Sequence, residues 1–280
     1  MLCDSHVHVV GPLARYPQLA ERTYTAGIAE LAALQRLAAE RGILRFVVVQ
    51  PSFYGSDNSA TLDALDALGD NGRGVAVVDP ANAPADMLAD YHRRGVRGLR
   101  VNLYSGLGKV KPFDAAFADA AGVAKPMDWH VEVIAGIDTI AANARLIARA
   151  GVPVVIDHYG VYGQEPPDSA AARLLLDLLL LPHLWMKLSA PYRVAADPLA
   201  TRPERTWLDA ILHCSSERLV WGSDWPHTPP HEQQHGPQHE PAYRALSYVQ
   251  LVDDFRAAVG SATLAQQIME RNPAKLYGFR

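Results

Sequence analysis

Cysteine is nearly missing from this chain of 280 residues: only Cys3 and Cys214 occur, far apart and in no CxxC spacing. That is too few for a disulfide framework or a thiolate metal site, so both are read as reduced structural thiols. Charge of one sign is also missing, since 26 Lys and Arg stand against 30 Asp and Glu, for a net charge of −4. Without a broad positive field to attract phosphate backbones or anionic lipid, neither nucleic acid nor a membrane is expected as a partner. Long hydrophobic runs are absent too; the longest, Leu174 to Leu181, is broken by Asp177. The start, Met1-Leu2-Cys3-Asp4-Ser5-His6, shows no basic segment leading into an apolar one, so a cytoplasmic location is expected. No fixed repeat, charge run or Gly/Ser linker divides the chain, and a single domain over 1–280 is expected, with a homo-oligomer left open.

What is present is a regular alternation. Hydrophobic residues make up 49% and charged residues 20%, an ordinary globular balance. Short β-branched runs suggest strands at Cys3–Val10, Leu44–Pro51, Gly74–Asp79, Val96–Leu103, Trp129–Ile134, Val152–His158, Leu184–Ser189 and Arg218–Asp224. Helical periodicity lies between them near Ile28–Arg41, Ala60–Leu68, Pro84–Arg94, Asp114–Val123, Asp138–Ala150, Ser169–Leu181 and Arg205–His213, and after them at Tyr248–Val259 and Ser261–Glu270. Apolar strands each followed by a helix predict an α/β fold, a (β/α)₈ TIM barrel, with an open doubly wound sheet as the alternative. One segment is compositionally odd: Pro226–Pro241 holds four histidines and five prolines in 16 residues. It reads as a loop on the rim, where a barrel keeps its active site, either solvated or metal-binding.

The polar residues near strand ends carry the chemistry. In Asp4-Ser5-His6-Val7-His8 the two histidines are spaced i, i+2, and in a strand such side chains share a face. Along the sixth strand Val154, Ile156 and His158 alternate, and along the eighth Val220, Gly222 and Asp224 do, so His158 and Asp224 are expected at the same mouth as His6 and His8. Three imidazoles and a carboxylate together suit the handling of a water molecule. Arg100 shares the register of Gly98 and Asn102, and Arg193 follows the seventh strand. Their guanidinium forks suit a substrate carboxylate, with a buried pair between Arg100 and Glu132 or Asp79 as the other reading of Arg100.

This set resembles the amidohydrolase superfamily over the whole chain: Asp4-x-His6-x-His8, His158 and Asp224 match its pattern in order and spacing. Within it, Gln50–Gly55, Gly98–Asn102, Val155–Gly160, Lys187–Arg193 and Trp221–His227 look like the branch of lactone hydrolases acting on pyrones, muconolactones and sugar lactones. The resemblance implies that Asp224 is the general base, that His6, His8 and His158 assist at the ester carbonyl, and that Arg100, Arg193, Tyr24 and Ser52 contact substrate, beside Asn102 and Glu132. It departs from the branch where Gly106 stands for an arginine and Glu132 for a tyrosine. An added carboxylate and a lost cation both oppose a dianion, although Lys109 or Lys111 could restore charge. The fourth strand offers no Lys or Glu to bridge two metals, and His130 lies too deep. The expected cofactor is therefore none, or one divalent ion, Zn²⁺ by ligand type, on His6, His8, His158 and Asp224. The expected partner is a small lactone. Two other activities remain open: a mononuclear zinc non-oxidative decarboxylase, and a neutral sugar-lactone hydrolase in which Glu132 accepts sugar hydroxyls.

Overall fold

A computed structural model describes residues 1–104, 111–229 and 236–280. Gly106, Lys109 and residues 230–235 of the His/Pro-rich segment lie outside the described residues. Eight strands run parallel in sequence order: β1 (Leu2–Val7), β2 (Ile43–Val49), β3 (Gly72–Ala76), β4 (Val96–Asn102), β5 (His130–Ile134), β6 (Val154–Ile156), β7 (Leu184–Ser189) and β8 (Leu219–Gly222). The sheet curls until its edges meet. At the seam, Val7 bridges Trp225, the His8 amide donates to the Trp225 carbonyl at 2.8 Å, and the Asp224 amide donates to the His6 carbonyl at 2.9 Å. This is the predicted (β/α)₈ barrel.

Helices α1 (Leu31–Ala39), α2 (Ser59–Leu68), α3 (Ala85–Arg93), α4 (Phe113–Ala124), α5 (Ile137–Ala142), α6 (Ala144–Ala148), α7 (Ala170–Leu179), α8 (Arg205–Cys214) and α9 (Tyr248–Val259) lie along the chain between and after the strands, and α10 (Ala262–Gln266) and α11 (Asn272–Tyr277) close it. Their starts are chemically marked. The hydroxyls of Ser169 and Ser247 accept from the amides of Ala172 and Gln250, satisfying orphan donors of the first turns of α7 and α9. The helix expected over Asp138–Ala150 divides at Asn143, and the last one passes through a π-turn at Gln267–Arg271 into α11.

Two apolar layers follow from the two faces of each strand. Val48, Val133, Ile156 and Leu188 pack outward against Leu65, Phe117, Leu175 and Ile211 of the helices. Cys3, Val47, Val49, Val75, Val155, Trp185 and Val220 face one another inside the barrel, together with Tyr277 and Phe279 from the C-terminal segment. At the floor, Arg73 donates to the carbonyls of Tyr277 and Gly278, and the guanidinium groups of Arg45 and Arg73 lie over the Phe279 ring. The inner layer corrects the expected register of β6. Val155, not Val154 and Ile156, points inward, so the inward residue at the strand's end is Asp157.

Candidate active site

The DxHxH segment works through an irregularity. Asp4 pairs with Phe46 but Val7 with Val48, so β1 carries one extra residue between them, a β-bulge. Asp4 faces away from the barrel interior, and its Oδ1 accepts from the amides of His6 at 3.2 Å and Ser223 at 2.9 Å, while Oδ2 accepts from the Tyr248 hydroxyl. Asp4 thus pins the bulge to the end of β8. Below the bulge Cys3 lies in the inner core; above it both His6 and His8 turn inward, with ring centroids 5.0 Å apart.

His158 arrives by a different route from the one expected. It follows β6 in a left-handed conformation, φ 50°, and Tyr159 and Val161 are left-handed too. That turn swings the imidazole over the mouth, 4.7 Å from the His6 ring, with Nδ1 2.8 Å from the Ser189 hydroxyl. Asp224 is also left-handed, φ 59°, beyond the end of β8. Non-glycine residues in this region store strain, of order 1–3 kcal/mol each, and such strain gathers at functional sites.

The Asp224 carboxylate has two unlike oxygens. Oδ2 accepts from the Tyr192 hydroxyl at 2.6 Å and from Arg193 Nε at 2.8 Å. Oδ1 accepts no hydrogen bond among the described residues and faces the Nε2 atoms of His8, His6 and His158 at 3.4, 3.5 and 3.9 Å. Burial alone would raise its pKa, but the Arg193 cation, followed by His158, His8 and His6, outweighs burial and holds it well below the usual carboxylate range. Burial, aided by Lys187, drives His6 well below the usual imidazole value, and burial brings His158 down to about 4. At neutral pH the mouth therefore holds an anionic Asp224 beside neutral His6 and His158.

Beneath the histidines lies a charged layer that the sequence reading did not assemble. Lys187, fully buried on β7, pairs with Glu132 Oε2, lies 3.5 Å from Asp157 Oδ1, and is 3.0 Å from His6 Nδ1. Asp157 in turn lies 3.6 Å from Arg100, which also donates to the Gln50 carbonyl at 2.9 Å. Two corrections follow. Glu132 is sealed under the site with no exposed surface, because Lys187 needs its charge there, so it is not a substrate-contacting group. Arg100 finds its carboxylate in Asp157, not in Glu132 or Asp79. A lysine inside the apolar run Leu184–Ser189 was the available sign of this layer, since a buried charge requires partners. His130 stays below it as expected, its ring lying where a Cβ on Gly98 would stand, at 2.3 Å.

Above Asp224 opens a narrow cleft lined by His8, Tyr24, Ser52, Arg100, Asn102, Tyr104, His158, Arg193 and Thr228. Tyr24, Ser52, Asn102, Arg100 and Arg193 thus meet where the sequence reading put them. Arg193 is partly committed, to Asp224 and to the Thr228 hydroxyl. Arg100 keeps a buried Nε with no hydrogen bond among the described residues.

The donor set also suits a divalent ion. Ligand atoms of His6, His8 and Asp224 lie within 4.8 Å of one another, as do those of His6, Asp157 and His158. The His8 ring is anchored behind by Nδ1 on the Val49 carbonyl at 2.8 Å, the usual second contact of a metal-binding imidazole. Nitrogen and carboxylate donors at this spacing fit a single metal ion.

A closed parallel barrel with polar groups converging beyond the C-terminal ends of its strands defines a TIM-barrel enzyme of the kind that works on a small molecule in its mouth. The chain belongs to the amidohydrolase family, whose model matches residues 3–279, and that superfamily is typically metal-dependent. It is 30% identical to 4-sulfomuconolactone hydrolase of Rhizobium radiobacter, over 98% of this chain and 89% of that one. It is 31% identical to 2-pyrone-4,6-dicarboxylate hydrolase of Comamonas testosteroni, with the same coverage of both chains. A solved Pseudomonas putida structure, described as a 2-pyrone-4,6-dicarboxylic acid hydrolase, superposes with a TM-score of 0.82 at 30% identity, covering 100% of this chain and 98% of that one.

Proposed function

We propose that this protein hydrolyses a small lactone bearing a carboxylate, with Asp224 as the base. The observation that carries the reading is Asp224 Oδ1, which accepts no hydrogen bond among the described residues and faces three imidazole nitrogens at the foot of a cleft that Arg100 also lines. Water attacks the ester carbon, its proton passes to Asp224 Oδ1, and the carbonyl π pair moves to oxygen, where imidazole N–H groups stabilise the developing charge. Collapse re-forms the carbonyl, breaks the bond to the ring oxygen and returns the proton from Asp224 to that oxygen. A strongly ionised Asp224 is a weak base, so a good leaving group such as an enolate suits it better than an amide nitrogen.

Arg100, with Ser52, Asn102 and Tyr24 around it, would hold the substrate carboxylate. Removing Glu132 from the cavity withdraws both the repulsion of an anion and the acceptor proposed for sugar hydroxyls, which favours the anionic lactone over the neutral one. If a divalent ion binds, Zn²⁺ by ligand preference, His6, His8, His158 and Asp224 would hold it and it would supply Lewis-acid polarisation of the ester.

The test is kinetic, with 2-pyrone-4,6-dicarboxylate, a monocarboxylated muconolactone and a neutral aldonolactone offered to the wild type and to Arg100→Met. The carboxylated lactones should be the better substrates, and Arg100→Met should cost them about 2–5 kcal/mol in kcat/KM while sparing the neutral compound. Fast turnover of the aldonolactone alone, indifferent to Arg100→Met, overturns the reading.

A further inference from the structure

Tyr24 reaches the cleft from the connection between β1 and α1, a stretch that is itself neither helix nor strand. Such a stretch owes its shape to side chains that satisfy its backbone groups. Two do so here. Gln18 closes the base of the loop, its Nε2 donating to the Ala26 carbonyl at 2.8 Å and its Oε1 accepting from the Ala26 amide at 2.9 Å. Arg22 organises the inside: Nη1 donates to the Leu19 carbonyl at 2.7 Å, Nε to the Thr25 hydroxyl at 2.9 Å and Nη2 to the Pro237 carbonyl at 3.3 Å. All three acceptors are neutral oxygens, and a planar fork with fixed donor directions suits them where a single ammonium would not.

The loop is sewn to its surroundings at the same place. The Thr25 hydroxyl donates to the Pro237 carbonyl at 2.7 Å, the Thr25 amide to the His239 carbonyl at 2.8 Å, and the Gly236 amide to the Thr23 carbonyl at 2.9 Å. On the other side, the Leu19 amide donates to the carbonyl of Phe53, the neighbour of Ser52, at 2.8 Å. One guanidinium therefore ties the Tyr24 loop to itself and to the stretch beyond β8, and through Leu19 to the segment that carries Ser52. Tyr24, buried between Thr23 and Thr25, is held through both neighbours, with Thr228 and Arg193 beside its hydroxyl. Arg22 itself lies outside the lining of the cleft.

We propose that Arg22 is a positioning residue: its fork clasps the Tyr24 loop to residues 236–239 and so fixes Tyr24 in the wall that receives the substrate. Its effect on a substrate passes through Tyr24 and not through its own charge. That effect rests on the lactonase reading above; the clasp does not.

The test begins with hydrogen exchange on the intact protein without substrate. The Thr25 and Gly236 amides should exchange slowly in the wild type and about tenfold faster or more in Arg22→Met, while the amides of β1 and β8 keep their rates. Arg22→Lys keeps the charge and loses the fork, so it should behave like Arg22→Met. Kinetics with the best carboxylated lactone of the panel then test the link to Tyr24. In both variants KM should rise by about tenfold, the scale of one lost hydrogen bond, with kcat changed by less than about twofold. The rise should vanish when Arg22→Met is made together with Tyr24→Ala, because the loop then has nothing to deliver. Unchanged exchange in Arg22→Met, a wild-type KM in Arg22→Lys, or additive effects of Arg22→Met and Tyr24→Ala overturns the proposal. Should Arg22→Met not fold, Thr25→Val, which removes the hydroxyl between Arg22 and Pro237, must show the same faster exchange for the clasp to stand. Faster exchange in the variants, with no carboxylated lactone turned over by the wild type, would sink the substrate and leave the clasp standing.

Discussion

At the scale of single residues, the most informative atom is Asp224 Oδ1. Tyr192 and Arg193 occupy the other oxygen, so one carboxylate both holds the mouth together and keeps an acceptor that no described residue fills. Asp224→Asn preserves the shape and removes the proton acceptor. Turnover of the best lactone should fall by roughly 10²–10⁴-fold, the usual contribution of a positioned base, with circular dichroism unchanged. A folded variant of near-normal turnover would place water activation elsewhere.

At the scale of elements, what could be read from the sequence depended on whether a pattern had phase. The eight strands were legible because β-branched runs alternate with helical periods, and His6, His8 and Asp224 were legible because polar groups stood out in otherwise apolar strands. In β6 the run Val154-Val155-Ile156 is apolar on both faces, so nothing in it says which side is inward, and the inference was one residue out. His158 was placed at the right mouth through the wrong geometry: the left-handed turn, not strand alternation, carries it there. The bulge in β1 was equally silent, since its evidence is a pairing with β2. The layer of Lys187, Glu132, Asp157 and Arg100 is drawn from four strands, and no spacing within one segment encodes a meeting across the barrel.

At the scale of the whole molecule, burying neutral imidazoles makes stability depend on pH. Burial depresses both His158 and His227 to about 4, so below their ordinary value of 6.5 the unfolded chain takes up protons that the folded one refuses. The stability each lends is complete above pH 6.5 and is lost as pH falls toward 4, roughly 3 kcal/mol apiece. Asp4 acts in the opposite sense. Burial lifts it to about 6 in the fold against an ordinary 3.8, so its protonated form returns about 3 kcal/mol on acidification across nearly the same range. His6, also held well below its ordinary value, adds to the loss, so the histidines outweigh Asp4 and the net is a loss on acidification. Urea midpoints should therefore drop between pH 7 and pH 4.5, and His227→Asn should flatten that drop; midpoints that rise on acidification would contradict this account.

The closure of the barrel floor also bears on timing. Cys3 on the first strand and Tyr277 and Phe279 near the far end of the chain belong to one inner core. During synthesis, β1 must therefore wait until Tyr277 and Phe279 have been made before its inner face is covered, and a nascent barrel stays open beneath. A chain stopped before Tyr277 should keep helical circular dichroism but bind a dye that reports exposed apolar surface, while the chain that carries Tyr277 and Phe279 should not. The mouth that holds the chemistry is thus assembled from strands whose footing comes from a segment made after all eight of them.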